Sequence, residues 1–424
     1  MRSIPLLFLT LAACGASEGK STTVAQQPAR PTAAATSTDT SIKSASAKMD
    51  SLAHSFADDS QIVRALYVNR WASQSPKRMR ELIAIADSTE INALVIDMKD
   101  EFGLNFESAD TMVKRNAGNS GKVPHLKELL DTLKAHHILA IARLVTFKDS
   151  VAARNNPQHV IRKPDGTPWH DKKGLTWVDP YDHEIWEYNI RVAVEMAKMG
   201  FGEVQFDYIR FPEPYKSLPE QVFKDANGVT KPHALAEYFK AACPRVHAAG
   251  ARCTADIFGL VTTVPGALEI GQQWEELAPH SDVLLPMVYP SHYPHGSFGI
   301  DKPNAEPYKV VYAAIRRAHE RDLKIGVNAA NHVRPWLQAF SLKGMTPKYG
   351  AAELSEQKRA VYDAGYDGWV LWSPGSVYEP FLAALEKKEV SRKKPFVSGA
   401  KPAAKVADVP APAPAPAPAT ATPK

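Results

Sequence analysis

The chain has 424 residues, 44% hydrophobic and 23% charged, with 33 prolines, 23 glycines and three cysteines. That apolar fraction excludes a wholly disordered protein, the length allows one large domain or two small ones, and so few cysteines exclude a disulfide scaffold. The formal net charge is +5, but from Lys387 onward eight Lys/Arg stand against two acids, a net +6, so residues 1–386 sum to −1. A nearly neutral body argues against nucleic acid as the main partner.

The chain opens with RSIPLLFLTLAAC at residues 2–14, a cation followed by a short apolar run. This has the form of a secretory signal and is too short to span a bilayer as a permanent helix. Its ending, Leu11-Ala12-Ala13-Cys14, resembles the bacterial lipobox, which implies residues 1–14 as a lipoprotein signal peptide and lipidation of Cys14. An ordinary signal peptide with a chance cysteine is the plainer alternative. Gly15 follows Cys14 with no Asp after it, which by resemblance to enterobacterial sorting points to the outer membrane. The expectation is an exported, membrane-anchored lipoprotein, in the outer membrane or facing the periplasm.

Residues 15–60 are rich in Ser, Thr, Ala and Gln. They bury too little apolar area to offset ordering entropy and read as a disordered tether. Residues 388–424 begin basic and end in VPAPAPAPAPATATPK, a disordered tail with polyproline character. Residues 61–387 remain as one folded domain, and the sequence shows no repeat of 20–50 residues.

Within that block short apolar runs recur, each followed by a helical pattern. The predicted strands are Ala65–Trp71, Ala93–Lys99, Leu139–Phe147, Glu203–Phe211, Arg252–Gly259, Asp282–Tyr289, Lys324–Ala330 and Gly368–Ser373. Ser75-Pro76, Asp179-Pro180 and Glu306-Pro307 each offer Pro at a first helical position, and Ser355 is a predicted cap of the seventh helix. Leu126, Leu129, Leu130 and Leu133 share one helical face; Ile190, Val194 and Ala197 share another. Eight alternating units predict an α/β fold, a single-domain (β/α)8 TIM barrel. A doubly wound sheet would carry a Gly-rich turn after its first strand, and VNRWASQSP has none.

Barrel enzymes place their chemistry at the C-terminal strand ends. In VQFDYIRFP the two-residue alternation puts Gln205 and Asp207 on one face, aimed into the barrel mouth. An unpaired carboxylate there is costly, and Arg210 is the nearest partner in sequence. Strand five repeats the pattern with Thr254 and Asp256, and strand two offers Asp97 beside Lys99. Two carboxylates flanking a glycosidic bond supply a nucleophile or base and a general acid. Ion pairs that merely fix loops are the plainer reading of each. The long third loop carries Trp169, His170 and Trp177, while Trp71, Tyr289, Tyr293 and Trp372 stand at other strand ends. Aromatic faces suit the C–H faces of sugar rings, although any one Trp is more simply core.

W-V-D-P followed by a helix and GFGEVQFDYIRFPE, with YVNRWA, ALVIDMKDEFG, LPMVYPSHY and GWVLWSP, resembles a family of glycoside-hydrolase-like barrels grouped under domains of unknown function. The resemblance covers most of residues 62–385 and implies distant similarity to α-amylase-like and α-galactosidase-like hydrolases. In those relatives the strand-four Asp is the nucleophile, which falls on Asp207. The amylase-like acid/base is a strand-five Glu, where this chain has Asp256. The strand-seven carboxylate is missing, with Asn328 and His332 in that region.

Other chemistries fit less well. The first strand lacks the H-x-H of metal-dependent amidohydrolases, and His292 and His295 lack a matched carboxylate, so no metal or cofactor is expected. No G-x-S-x-G elbow supports an esterase. A disulfide and two buried thiols both fit Cys243 and Cys253. The sequence thus predicts a glycoside hydrolase acting on a poly- or oligosaccharide. Asp207, Asp256 and Asp97 are its catalytic candidates, and Arg210, Trp71, Tyr289, His292, Asn328, Trp372 and Trp177 its substrate-binding ones. A non-catalytic glycan-binding lipoprotein with a degenerate barrel is the first alternative. An envelope scaffold gripping anionic polymer through its basic tail is the second. The oligomeric state is not legible.

Overall fold

The computed structural model describes residues 62–327 and 331–388. Cys14, the segments 15–60 and 389–424, and Asn328 lie outside the described residues. Eight strands follow in chain order: β1 Arg64–Val68, β2 Ala93–Asp100, β3 Leu139–Val145, β4 Glu203–Asp207, β5 Arg252–Phe258, β6 Val283–Val288, β7 Trp336–Gln338 and β8 Trp369–Trp372. Each pairs parallel with the next, and β8 returns to β1 with Val370 opposite Ala65, closing the barrel. Closure removes every free edge from the parallel sheet. Gly103–Leu104 adds a short antiparallel ribbon to the end of β2.

The main helices are α1 Pro76–Ser88, α2 Leu126–Ala135, α3 His183–Met199, α4 Lys231–Ala248, α5 Pro307–Ile325 and α6 Ala351–Asp363. Ser75 caps α1 from its side chain with Pro76 at the first helical position. Asp182, three residues after Asp179, caps α3 through Glu184 and Ile185 N–H groups. Ser355 is not a cap. It lies one turn inside α6, and its hydroxyl donates to the Ala351 carbonyl, because Gly350 and Glu353 already form the start.

Strand seven is also displaced from its predicted place. The run from Lys324 belongs to the end of α5, which stops at Gly326 with φ +75°. There a residue without Cβ takes the left-handed cap at no steric cost. The strand is instead the three residues Trp336–Gln338. It is tied outward to α6 by the Gln357 side chain, which accepts from the Gln338 N–H at 2.8 Å and donates to its carbonyl at 3.0 Å.

Apolar side chains form two layers. Ala65, Tyr67, Val95, Ile141, Val283, Leu285, Trp336 and Val370 fill the barrel interior. Leu66, Ile96, Phe206 and Ala255 face outward against helix residues such as Leu82, Leu133, Met196 and Phe239. Each such burial contributes on the order of 1.5–3 kcal/mol. The interior is polar along β4 and β5. Glu203 pairs with Arg334 at 2.7 Å at the lower end, and Gln205, Asp207, Thr254 and Asp256 follow above it. The Cys243–Cys253 disulfide joins α4 to β5.

The lower rim also holds both described ends. The Asn92 side chain donates to the Ile62 carbonyl, while the Glu90 N–H donates to the Glu386 carbonyl at 2.9 Å. Glu90 is buried and binds Arg64 at 3.0 Å as well as Lys358. Among the described residues no helix is long and apolar enough to cross a membrane.

Candidate active site

At the upper rim β3 ends in ARLV, where alternation turns Ile141 and Arg143 inward. Arg143 becomes the centre of a charge cluster. Its Nη1 donates to Asp97 Oδ1 at 2.5 Å, its Nε to Asp207 Oδ2 at 2.9 Å, and Nη2 also reaches Asp207. Asp256 Oδ2 lies 3.8 Å from Nε. Tyr67 and Trp372 flank the guanidinium at 5.6 and 5.4 Å and stack on each other at 4.0 Å.

One cation faces three carboxyl groups with almost no water, so the cluster cannot hold three negative charges cheaply. Burial drives the Asp97 carboxyl up to about 6, against the pull of Arg143 and with a push from Asp100. Burial and then the neighbouring Asp207 hold the Asp256 carboxyl well above the usual carboxylate range. Asp256 Oδ1 accepts from Gln205 Nε2 at 2.7 Å and Trp336 Nε1 at 2.6 Å, while its buried Oδ2 has no hydrogen-bond donor. A carboxyl with a raised affinity for its proton fits that environment.

Above the cluster opens a cleft of about 430 Å3, lined by Arg143, Asp207, Tyr208 and residues of the loops after β4, β5 and β6. Tyr208 has φ +49°, a left-handed conformation unusual for a bulky side chain, and its N–H donates to Asp207 Oδ1 at 2.5 Å. Both oxygens of Asp207 are thereby held. Past this turn Arg210 is walled by Trp177, Tyr208 and Phe258 at 5.1, 5.0 and 4.6 Å, and its Nη1 donates to Glu213 Oε2 at 3.1 Å. Gly259 lies where a Cβ would come within 2.5 Å of both the Met287 carbonyl and the Tyr293 hydroxyl, so the cleft wall closes on a glycine.

The candidates from the sequence separate into groups. Asp207, Arg210, Tyr289, His292 and Trp372 line the cleft. Burial lowers the His292 imidazole and raises the Tyr289 hydroxyl, the latter with help from Asp256 and Asp207. Asp97 and Asp256 lie under the cleft floor, 4% and 1% exposed. Trp177 is buried behind Arg210, with its Nε1 donating to Asp171. Trp71 is exposed on a short helix after β1, against Phe102 at 5.7 Å, and does not line the cleft. Asp207 pairs with Arg143 rather than Arg210, and Lys99 pairs with Asp149 at 2.7 Å rather than Asp97. His332 binds Asp322 at 2.7 Å and is buried.

The sequence reading did not assign roles to Arg143, Tyr208 or Glu213. A signal for Arg143 was present, since a cation sits at an inward position of an otherwise apolar strand. Tyr208 and Glu213 had none, because a positive φ and a loop's return over the cleft are not periodic features. Among the described residues no group of His, Cys, Asp and Glu is arranged to hold a metal ion.

Comparison with known proteins bears on the fold and the family. A hypothetical protein from Ruminiclostridium thermocellum ATCC 27405 is 34% identical over 45% of this chain and 96% of its own, with a TM-score of 0.41. The PgaB (BpsB) glycoside hydrolase domain of Bordetella bronchiseptica shares the fold with a TM-score of 0.55 at 13% identity, over 76% of this chain and 98% of that one. The α-L-fucosidase isoenzyme 2 of Paenibacillus thiaminolyticus gives 0.50 at 13% identity, over 76% and 48%. No curated protein matches the chain. A family model matches residues 65–378, nearly the whole barrel, and the chain therefore belongs to the family described as "Putative glycosyl hydrolase domain".

Proposed function

We propose that the cleft hydrolyses glycosidic bonds of a poly- or oligosaccharide, with Asp207 as the carboxylate that attacks the anomeric carbon. The observation that carries this is the placing of Asp207. It opens on the cleft while Tyr208 N–H and Arg143 fix both its oxygens. Fixed orientation converts a collision into a near-unimolecular step, and donors already in place cost no reorganisation as charge moves. Arg143 balances the charge of Asp207, while Asp97 and Asp256, raised by burial, act through Arg143 as supports. Trp372, Tyr289 and Tyr208 offer aromatic faces to a sugar ring. The nearly neutral body suits a glycan of little charge.

Asp207→Asn should lower glycan release by about 10³-fold or more, because the amide cannot form the covalent intermediate. Product release from a panel of polysaccharides and aryl glycosides, wild type against variant, checks this. Undiminished release by the variant would sink the assignment. Retention of oligosaccharide without cleavage by the wild-type protein would favour the glycan-binding alternative.

We also propose that the chain is exported and lipidated at Cys14, which would hold the barrel at an envelope membrane. Replacing Cys14 by Ser should move the protein from the detergent phase to the aqueous phase in a Triton X-114 partition. Unchanged partition would refute the anchor.

A further inference from the structure

We infer that Glu213 is the group that hands a proton to the leaving sugar and later takes one from water. This deepens the proposed reaction and rests on Asp207 as its nucleophile. A general acid must come within hydrogen-bond reach of the glycosidic oxygen. Among the described residues, Asp207 and Glu213 are the two with carboxyl groups that line the cleft. Asp256, the acid expected from the sequence, lies beneath the floor with Trp336 and Gln205 on its Oδ1. Asp97 is held there by Tyr67 and Arg143. Neither reaches a bound sugar unless the barrel floor opens.

Glu213 has what both lack. It stands six residues after Asp207, on the loop that follows β4, with its side chain 33% exposed. Arg210 engages its Oε2 at 3.1 Å, and Glu213 lines the cleft. The Arg210 side chain is itself 7% exposed and braced by three rings, so Glu213 has a fixed anchor. Arg210 is a positioning residue here. It holds Glu213 over the cleft and stabilises the carboxylate left when the proton departs.

The steps balance without a further reactant. An Asp207 oxygen bonds to the anomeric carbon as the bond to the leaving oxygen breaks. That oxygen keeps the electron pair and takes the proton of the Glu213 carboxyl. The resulting Glu213 carboxylate then removes a proton from water, whose oxygen bonds to the same carbon as the Asp207 ester bond breaks. One water is consumed, and both side chains return to their starting forms.

Leaving-group chemistry tests this. A phenoxide needs protonation to depart, whereas 2,4-dinitrophenoxide does not. With the aryl glycosides of whichever sugar the wild type releases, Glu213→Gln should lose about 10²–10⁴-fold on the phenyl glycoside. It should keep first-turnover release of dinitrophenol within about tenfold, below the loss expected where a missing acid matters. Azide should restore its steady-state turnover by replacing the unactivated water, and one limb of the pH profile should disappear. Equal losses on both leaving groups, or no loss, would overturn the assignment and leave the Glu213–Arg210 pair as a loop tie. Asp207→Asn should abolish both reactions. If it does not, the nucleophile assignment fails, independently of Glu213. A wild type that cleaves no glycoside of the panel overturns both. Matching thermal melts of Glu213→Gln and wild type exclude misfolding.

Discussion

Burial raises Asp97 to about 6 from an ordinary 3.8, with Arg143 pulling the other way. The folded chain therefore keeps this proton up to about pH 6, whereas the unfolded chain releases it near 3.8. Between those values the folded state binds more protons, so this group's contribution to stability falls as pH rises, by on the order of 3 kcal/mol. Asp97→Asn has no such proton to lose. Its stability relative to wild type should climb through that window and level off above it, as read by urea unfolding at a series of pH values. A difference that stays flat with pH would contradict the assignment. At this scale the sequence exposed Asp207 and Asp256 through strand alternation. It misassigned the partner of Asp207, because Arg143 lies 64 residues away on another strand. Glu213 was invisible for a related reason. Its position over the cleft depends on the left-handed turn at Tyr208 and on packing around Arg210, which the local pattern does not encode.

Seven of the predicted strands fall on observed ones because each is an apolar run buried on both faces, the usual signature of parallel sheet. The eighth, β7, is three residues long and ends in Gln338. A run that short has no periodicity, and the longer run from Lys324 drew the assignment away. Beyond its ladders to β6 and β8, β7 is tied to α6 by the Gln357 amide. Gln357→Leu keeps volume but leaves the Gln338 N–H and carbonyl without their partner from α6. Buried polar groups left unpaired cost about 1–3 kcal/mol each. The variant should therefore unfold at lower denaturant by a few kcal/mol, and an undisturbed midpoint would show that the amide pair contributes nothing. Ser291 N–H donates to Gln338 Oε1, so a shifted β7 would also disturb the loop that carries His292. Activity should fall along with stability.

Across the whole barrel the disulfide spans a sequence separation of 10 residues, from α4 to β5. A loop of that size restrains the unfolded chain by about 2–3 kcal/mol on the chain-entropy account. Cys243→Ser with Cys253→Ser should lower the unfolding free energy by that amount in denaturant titration, with the fold retained. Matching curves for the oxidised and double-variant proteins would remove this contribution. Such a bond persists in an oxidising compartment, which agrees with the proposed export.

The lower rim has a consequence for how the molecule meets its surroundings. Ile62 and Glu386 are fastened to Asn92 and Glu90, at the end of the strands opposite Asp207 and Glu213. Entry to and departure from the barrel share one pole. A group joined to the chain beside Ile62 or Glu386 would therefore stand on the far side of the barrel from the cleft.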